Sequence, residues 1–412
     1  MATITRPPAY ATGMPADRGG EWSSGWRVAL RLARRDVRRH KGRSALIVLM
    51  VAVPVLLLIG GNVLYSTQDL NSVERIPYAM GQTQAKVSYQ GFKFTPLPDA
   101  RNTMGGSFGP SDQTPTPIPG WGDTTAAQAT AIGALTGSTA IPLSFDSSFA
   151  KVGRRNLDLQ VLRADVASHE QAFAGMTRLI SGRWPTTASE VAVTTAGVYR
   201  GLPSSGSVEV STSSTDGTTA AATLTIVGTV EAWASDYGTR PMDLVVLPRA
   251  DATTSPVGVP AFLIDRAAPV TWAEVKRLAA YGLSVDSRDV ALNPPSRAEL
   301  DLPEGMEQVY AQDSMAQSII TAVGAIGLLL ETTLLVGPAF AVSAARSRRT
   351  LALAASNGAT TAQLRRTVLA QALVLGVISA LAGALLGILG AFAAVGWTRV
   401  NRPDAFMGPF EL

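Results

Sequence analysis

Two long apolar runs near the carboxyl end, residues 319–342 and 368–397, constrain the fold more than any other feature of the sequence. Each is longer than the roughly 20 residues that an α-helix needs to cross a hydrocarbon layer of about 30 Å. The segment between them holds five arginines and no acidic residue. Because short loops rich in Lys and Arg stay in the cytoplasm, we expect a hairpin of membrane helices whose turn faces the cytoplasm.

A third apolar run, residues 45–65, carries no charge and follows a basic segment. It predicts a first membrane helix whose amino end lies inside, with a kink at Pro54 and a loosened outer end at Gly60 and Gly61. A signal peptide is the alternative. The run exceeds the 7–15-residue apolar core of such peptides, so a retained anchor is favoured.

The amino-terminal segment divides into two parts. Residues 1–25 lack an apolar core and are predicted to be a disordered cytoplasmic tail. Residues 26–43 predict an amphipathic helix that lies on an anionic membrane surface, since arginines surround one apolar stripe. The alternative, a charged flank that fixes the topology, is compatible with it. The stripe consists of Trp26, Leu30, Ala33 and Val37.

The composition agrees with a membrane protein that has a large solvent-exposed domain. Charged residues make up 16% of the chain, below the roughly 25% usual in soluble proteins. The basic residues lie beside the apolar runs, so membrane topology accounts for them and no nucleic acid is expected as a partner. The chain has no cysteine, which excludes disulfides and thiol chemistry.

Residues 68–314 must lie outside the cell, because the spans on both sides begin or end inside. Residues 91–120 predict irregular structure, and residues 126–135 and 271–281 predict helices. Thr271 and Glu274 have the spacing of a capping box. The result is a predicted α+β domain inserted between spans 1 and 2. Apolar, β-branched runs predict strands at 157–162, 191–194, 208–210, 224–230, 244–247 and 261–264.

The second span, residues 316–344, contains Glu331 near its middle. A carboxylate there costs about 2.5–3.5 kcal/mol on insertion scales, so it must face protein or water. Two interpretations remain open: a residue of a coupling or substrate path, and a hydrogen bond to a neighbouring helix.

The third span, residues 368–397, places small residues at every fourth position. Such a stripe lets two helix backbones approach closely. It predicts a helix partner, within this chain or in a second copy. Because there are three predicted spans, residues 398–412 are expected to lie outside the cell. The stripe consists of Ser379, Gly383, Gly387 and Ala391.

The basic turn, residues 345–366, resembles the cytoplasmic loop of FtsX-like ABC transporter permeases, the group of the macrolide exporter and the lipoprotein-releasing permeases. Thr350 stands where that family usually has an acidic residue. Residues 181–185, 190–193 and 225–229 resemble its extracytoplasmic domain. The loop residues that carry the resemblance are Arg348, Arg349, Leu351, Ala352, Leu353, Gly358, Ala359, Thr360, Gln363, Leu364, Arg365 and Arg366.

The resemblance implies a permease subunit in the cell membrane, without a cofactor, whose loop docks on a separate ABC ATPase. This chain has no Gly-x4-Gly-Lys-Ser/Thr loop of its own. Members of this family have at least four spans. Because this sequence has three, it predicts a truncated or split permease of the long actinobacterial type. Membrane lipid, a second copy or the missing carboxyl-terminal half are the other expected partners. The implied coupling residues are Leu351, Leu353, Gly358, Ala359, Thr360, Gln363, Leu364, Arg365 and Arg366.

Two other function classes compete with this one. The same topology fits a sensory or mechanotransmission protein that transports nothing and controls an outer partner such as a cell-wall hydrolase. A membrane-anchored ectoenzyme is disfavoured, because the outer segment has a single histidine, His169, and no cysteine.

Overall fold

The structure is a computed structural model, and it divides into two compact units. One comprises Met1–Val63, Gln312–Phe392 and Leu412; the other comprises Leu64–Ala311 and Ala393–Glu411. The residues it describes are 31, 35, 41–68, 70–97, 106–108, 113–213, 219–235, 239–247, 260–300, 322–324, 326–327, 330, 334, 352, 356 and 361–410.

Two of the described helices are much longer than the others. They are α1 (Lys41–Gln68) and α7 (Thr361–Asn401), and they contain the predicted first and third spans. Searched over the described residues, two stretches are long and apolar enough to cross a membrane, Ser44–Met80 and Val368–Asn401. The other helices are α2 (Ser72–Met80), α3 (Thr125–Thr136), α4 (Thr195–Arg200), α5 (Trp272–Ala279) and α6 (Arg288–Leu292).

Several predictions fall on residues that the structure does not describe. The tail at 1–25 lies wholly outside the described residues. The surface helix at 26–43 and the second span at 316–344 lie mostly outside them, and Glu331 is among the residues not described. These remain predictions.

The large domain is built on a mixed sheet. Its strands are β1 (Ala85–Tyr89), β4 (Thr139–Val152), β5 (Arg155–Ala164), β6 (Thr177–Gly182), β7 (Glu190–Thr194), β8 (Gly206–Ser213), β9 (Thr219–Ser235), β10 (Thr239–Pro241), β11 (Leu244–Val246), β12 (Ala261–Asp265) and β13 (Leu283–Ser287). The strands β2 (Thr95–Leu97) and β3 (Gly106–Phe108) form a separate two-stranded sheet.

Six strands close into a ring of pairings in the order β4, β5, β11, β7, β9 and β8, with β8 pairing back to β4. The β5–β11 and β7–β9 pairs are parallel and the other four are antiparallel. Alternate residues of these strands form one buried cluster, as the two-residue period of a closed sheet requires. The ring is therefore a small barrel, from which β12, β1 and β13 continue beyond β4. Cluster residues from the strands include Leu159, Val161, Val191, Val193, Val208, Val210 and Leu244.

The six strands predicted between residues 157 and 264 are confirmed, as are both helices. One detail is wrong: the Thr271 side chain makes no cap hydrogen bond. The carboxylate of Glu274 instead accepts hydrogen bonds from Arg266, at 3.1 and 2.5 Å. The segment 91–120 is also less irregular than predicted, since β2 and β3 form a small antiparallel pair within it.

Two of the segments that resemble the FtsX-like domain, 181–185 and 225–229, pass very close to each other at one corner of the barrel. A Cβ added at Gly182 would lie 2.4 Å from the Val227 carbonyl oxygen, and one added at Gly228 would lie 2.4 Å from the Arg183 carbonyl oxygen. Only glycine allows backbones to cross so closely. The next residue, Arg183, forms a two-pronged ion pair with Glu190 at 2.9 and 2.5 Å.

The Arg183–Glu190 pair predicts an acid-sensitive corner. The hydrogen bonds from Arg183 and from the Thr186 backbone hold the pKa of Glu190 at about 2, below its ordinary value of 4.5. A depressed pKa stabilises the fold above pH 4.5, and that stabilisation is lost as the pH falls toward 2. We expect Glu190→Gln to flatten the loss of thermal stability between pH 4.5 and 2. The exposed Glu209→Gln variant should keep the wild-type slope; equal slopes in all three proteins would contradict the assignment.

Candidate functional site

Helices α1 and α7 pack backbone against backbone along the predicted small-residue stripe. A Cβ added at Gly383 would lie 2.6 Å from the carbonyl oxygen of Ala52 and 2.9 Å from the Cβ of Val55. Real Cβ atoms do not come this close to backbone oxygens, so glycine is required at this position. The helix partner that the stripe predicted is α1 of the same chain.

One turn further along, the two helices meet glycine to glycine. A Cβ on Gly387 would lie 2.9 Å from the Leu56 carbonyl oxygen and 3.1 Å from the Gly60 nitrogen. A Cβ on Gly60 would in turn lie 3.1 Å from the Gly387 carbonyl oxygen. Gly60 was expected to loosen the outer end of the first span; it is instead a close-packing residue.

The ends of the stripe are buried as well. Ser379 has no exposed surface and Ala391 is 2% exposed. The Ser379 hydroxyl donates to the Leu375 carbonyl oxygen at 2.6 Å, one turn back on the same helix, so its polar group is satisfied without a partner on α1. All four stripe residues therefore lie in the packed interior of the described helices.

Many large apolar side chains of both helices are exposed, although Ile47 and Leu375 are buried. On α1, Leu49 and Leu57 are 60% and 62% exposed; on α7, Leu381 and Phe392 are 66% and 63% exposed. In water this arrangement would be inverted, because large side chains gain most from burial. Small residues inside and large ones outside is the pattern of helices packed in lipid.

The outer end of α7 is tied to the large domain by the residues that follow it. The Arg399 guanidinium donates to the Gly408 carbonyl oxygen, and the Gly408 nitrogen donates to the Thr67 carbonyl oxygen at 2.9 Å. A Cβ on Gly408 would lie 2.5 Å from Leu70 Cδ2 and 2.9 Å from that same Thr67 oxygen. The chain at 402–408 is thus folded back against the last turn of α1. It is called here the outer tail, after its predicted position outside the cell.

Phe406 is the aromatic anchor of the outer tail. Its ring meets Tyr78 of α2 edge-on at 5.0 Å and Trp233 of β9 edge-on at 5.1 Å between centroids. Edge-to-face pairs contribute about 0.5–1.5 kcal/mol each beyond the area that they bury. The ring therefore fastens the tail to two separate elements of the domain.

Charged groups add a second attachment next to the anchor. Arg402 pairs with Asp404 at 3.0 Å, and its guanidinium carbon lies 5.9 Å from the Tyr199 ring centroid. The Arg402 hydrogen bond holds the pKa of Asp404 below its usual range, and Arg200 lowers it further. Arg200 also donates to buried Asp243 and to the Asp158 carbonyl oxygen, both at 2.5 Å. The tail thus reaches α4 and, through Arg200, β5.

The predicted coupling residues are only partly described. Gln363 and Leu364 belong to the first turn of α7, Arg365 is exposed and Arg366 is half-buried. The structure differs from the predicted short helix followed by a separate span at 368, because α7 runs unbroken through both. The remaining coupling residues lie outside the described positions: Leu351, Leu353, Gly358, Ala359 and Thr360.

Little in the described part of the chain suggests chemistry. His169 lies in a turn, half-buried, with Nδ1 at 3.2 Å from the Asp165 carbonyl oxygen. Among the described residues, no three His, Asp or Glu side chains form a group that could hold a metal ion. The candidate site is therefore taken to be the contact between α1 and α7, with the outer tail that follows α7.

Sequence reasoning missed the outer tail. Phe406 and Gly408 belong to a segment that the sequence presented only as a loop beyond the third span. A signal was present, because a large aromatic residue within a short polar stretch tends to be buried against something. Its partners, Tyr78 and Trp233, are too distant in sequence for any local pattern to indicate them.

No family model and no curated protein matches the sequence. A solved domain from Porphyromonas gingivalis, assigned to a permease protein, is similar over 55% of this chain and 94% of its own, with 12% identity and a TM-score of 0.27. The described part of this chain itself has two apolar helices long enough to span a membrane and a large mixed-sheet domain.

Proposed function

We propose that this chain is the permease subunit of an FtsX-like ABC transporter, coupling ATP hydrolysis by a separate ATPase to movement of its outer domain. Export or extraction of a substrate would follow from that movement. The resemblance of the loop at 345–366 to the family supports the ATPase contact, and the inverted packing of α1 and α7 supports the membrane setting.

The observation that carries the proposal is the continuity of α7. It has 41 residues and is therefore about 60 Å long at 1.5 Å per residue, roughly twice the hydrocarbon thickness. Arg365 lies in its first turns and Arg399, which binds the outer tail, lies in its last turn. A helix without an internal break can pass a displacement at one end to the other.

The coupling works as follows under this proposal. Closure of the ATPase pair displaces the basic turn, and α7 tilts or slides as a unit. Its outer end moves the tail, and Phe406 moves with it against α2 and β9. The tight contact at Gly383 and Gly387 makes α1 follow, so both ends of the outer domain are displaced together.

The contact with the ATPase is tested by co-purification with the ABC ATPase encoded nearest to this gene. We expect Leu364→Ala and Arg365→Glu each to reduce recovery of the ATPase by tenfold or more, which corresponds to about 1.4 kcal/mol. Leu389→Ala, at an exposed position further along α7, is the matched control and should leave recovery unchanged. Full recovery with both loop variants would overturn the coupling assignment.

A further inference from the structure

The turn between β4 and β5 carries a compact group of positive charges. Val152 pairs with Arg155, so only Gly153 and Arg154 lie between the strands. Gly153 has a φ of +61°, which a two-residue hairpin turn demands and glycine supplies readily. Lys151, Arg154 and Arg155 are all exposed. Among the described residues none of these three has an ion-pair partner.

An exposed aromatic ring stands next to these charges. Phe149 is 44% exposed and, two residues before Lys151, shares its face of the strand. Asn156 and Asp158 pair with Lys151 and Phe149 across the hairpin. Two acidic residues in the described part of the chain share this face: Asp158, which lies farther from the turn than the cations do, and exposed Glu209 of β8, which follows the Ala150–Val210 pair in register with Lys151. The three cations outnumber them. The tip therefore combines net positive charge with apolar surface.

The position of this hairpin follows from the contacts of the outer tail. Arg200 donates to the Asp158 carbonyl oxygen at 2.5 Å, and the ring of its neighbour Tyr199 lies 5.9 Å from the guanidinium carbon of Arg402 in the tail. Asp158 is thus beside the tail. Arg155 lies three residues further along β5, about 10 Å at 3.3 Å per residue.

The end of α7 indicates where the membrane surface lies. Trp397 and Val400 are 63% and 81% exposed. Two arginines, Arg399 and Arg402, follow Trp397 within five residues. Exposed tryptophan followed by basic residues is typical of the membrane–water interface. The outer tail, and hence the β4–β5 hairpin beside it, is therefore close to the headgroups.

We propose that the β4–β5 turn, with Lys151, Arg154 and Arg155 at its tip and Phe149 on its exposed face, binds the anionic headgroups of the membrane surface from which α7 emerges. Phosphate groups attract the three cations, and the ring enters the interface between headgroups and acyl chains. The turn would hold one edge of the barrel on the membrane. This inference rests on the membrane setting of the proposed function, and it does not require the ATPase.

The absence of native cysteine permits a site-specific test on the full chain. Asn156→Cys, on the proposed face, carries an environment-sensitive fluorophore. Ala188→Cys is the control: it is exposed and precedes β7, which runs antiparallel to β11 while β11 runs parallel to β5, so it lies at the opposite end of the barrel. Both proteins are placed in nanodiscs of phosphatidylcholine alone or mixed equally with phosphatidylglycerol.

We expect the Asn156 probe to brighten at least twofold in the anionic discs and to become shielded from iodide quenching. The Ala188 probe should not change. High salt should reverse the effect, since it screens exposed charges beyond a few ångströms. Lys151→Gln, Arg154→Gln and Arg155→Gln combined should abolish it while the thermal unfolding temperature stays the same.

Three results would overturn the proposal: equal fluorescence in both lipids, an unchanged response in the triple variant, or the same brightening with inorganic phosphate in phosphatidylcholine discs. The last would indicate a soluble anion site. If the membrane setting of the proposed function were wrong, the chain would not enter nanodiscs at all. That outcome is distinct from the three results above.

Discussion

Replacing Gly383 with isoleucine should separate α1 from α7 and destabilise the helix pair. Its Cβ alone would stand 2.6 Å from the Ala52 carbonyl oxygen and 3.1 Å from the Ala52 Cα. Both atoms are backbone, so no rotamer change can relieve the clash and the helices must move apart. Moving them also removes the contact at Gly60 and Gly387, two turns of packing in all.

We expect Gly383→Ile to lower the free energy of unfolding by about 3 kcal/mol, the upper end of the 1–3 kcal/mol typical of overpacked cores. That corresponds to a shift of more than a hundredfold in the unfolding equilibrium. It is measured in detergent by the loss of helical circular dichroism with temperature or with a denaturing detergent. Since the clash is steric, Gly383→Ala should show part of the effect and Gly383→Ile all of it.

Gly390→Ile is the matched control on the same helix. A Cβ at Gly390 meets nothing within 4 Å, so the larger side chain should be tolerated. Both variants lose the same glycine flexibility and gain the same apolar volume. If Gly390→Ile destabilises as much as Gly383→Ile, close packing at the stripe is not what stabilises this pair.

The stripe shows how far the sequence could predict this site. Spacing alone identified the packing face of the third span, because a helix repeats its faces every three to four residues. It could not identify the partner, since any helix with small residues fits. Gly60 was therefore interpreted by its flexibility, and its proximity to Gly387 depends on long-range geometry.

The large domain shows a related limit. Six strands were predicted from their apolar residues, whereas others were missed, among them β1, β4, β6 and β13. Of these, β4 is the longest, and it is the longest but one of the described strands. Its sequence contains Pro142 and a polar run at 146–148. Asp146 and Ser148 are buried, and the Arg163 guanidinium pairs with the Asp146 carboxylate. Polar residues that find partners across a barrel break the apolar pattern on which strand prediction depends.

Replacing Phe406 with alanine should release the outer tail from the domain. The variant loses two edge-to-face contacts and the apolar area of a half-buried ring, together about 2 kcal/mol, less than the 3–5 kcal/mol of a fully buried Phe. The tail would then open about 30-fold more often. The global fold should persist, because the barrel core contains no tail residue.

Hydrogen exchange at Gly408 reports this opening directly. Its N–H is bonded to the Thr67 carbonyl oxygen, so it exchanges only when the tail detaches. We expect exchange of the peptide that contains Gly408 to quicken about 30-fold in Phe406→Ala, while peptides of β5 and β7 keep their wild-type rates. Val400→Ala, at a position 81% exposed on the last turn of α7, removes apolar volume without a contact and should leave the exchange unchanged.

The same variant separates the two ends of α7. Because Phe406 is far along the chain from Arg365, Phe406→Ala should leave ATPase co-purification intact while it weakens the attachment of α7 to the domain. Under the proposed function, ATP would still be hydrolysed but the outer domain would no longer follow, so ATP-driven change at a probe on Ala188 should disappear. Undiminished movement in that variant would mean that the tail does not transmit it, and that the contact between α1 and α7 alone carries the displacement.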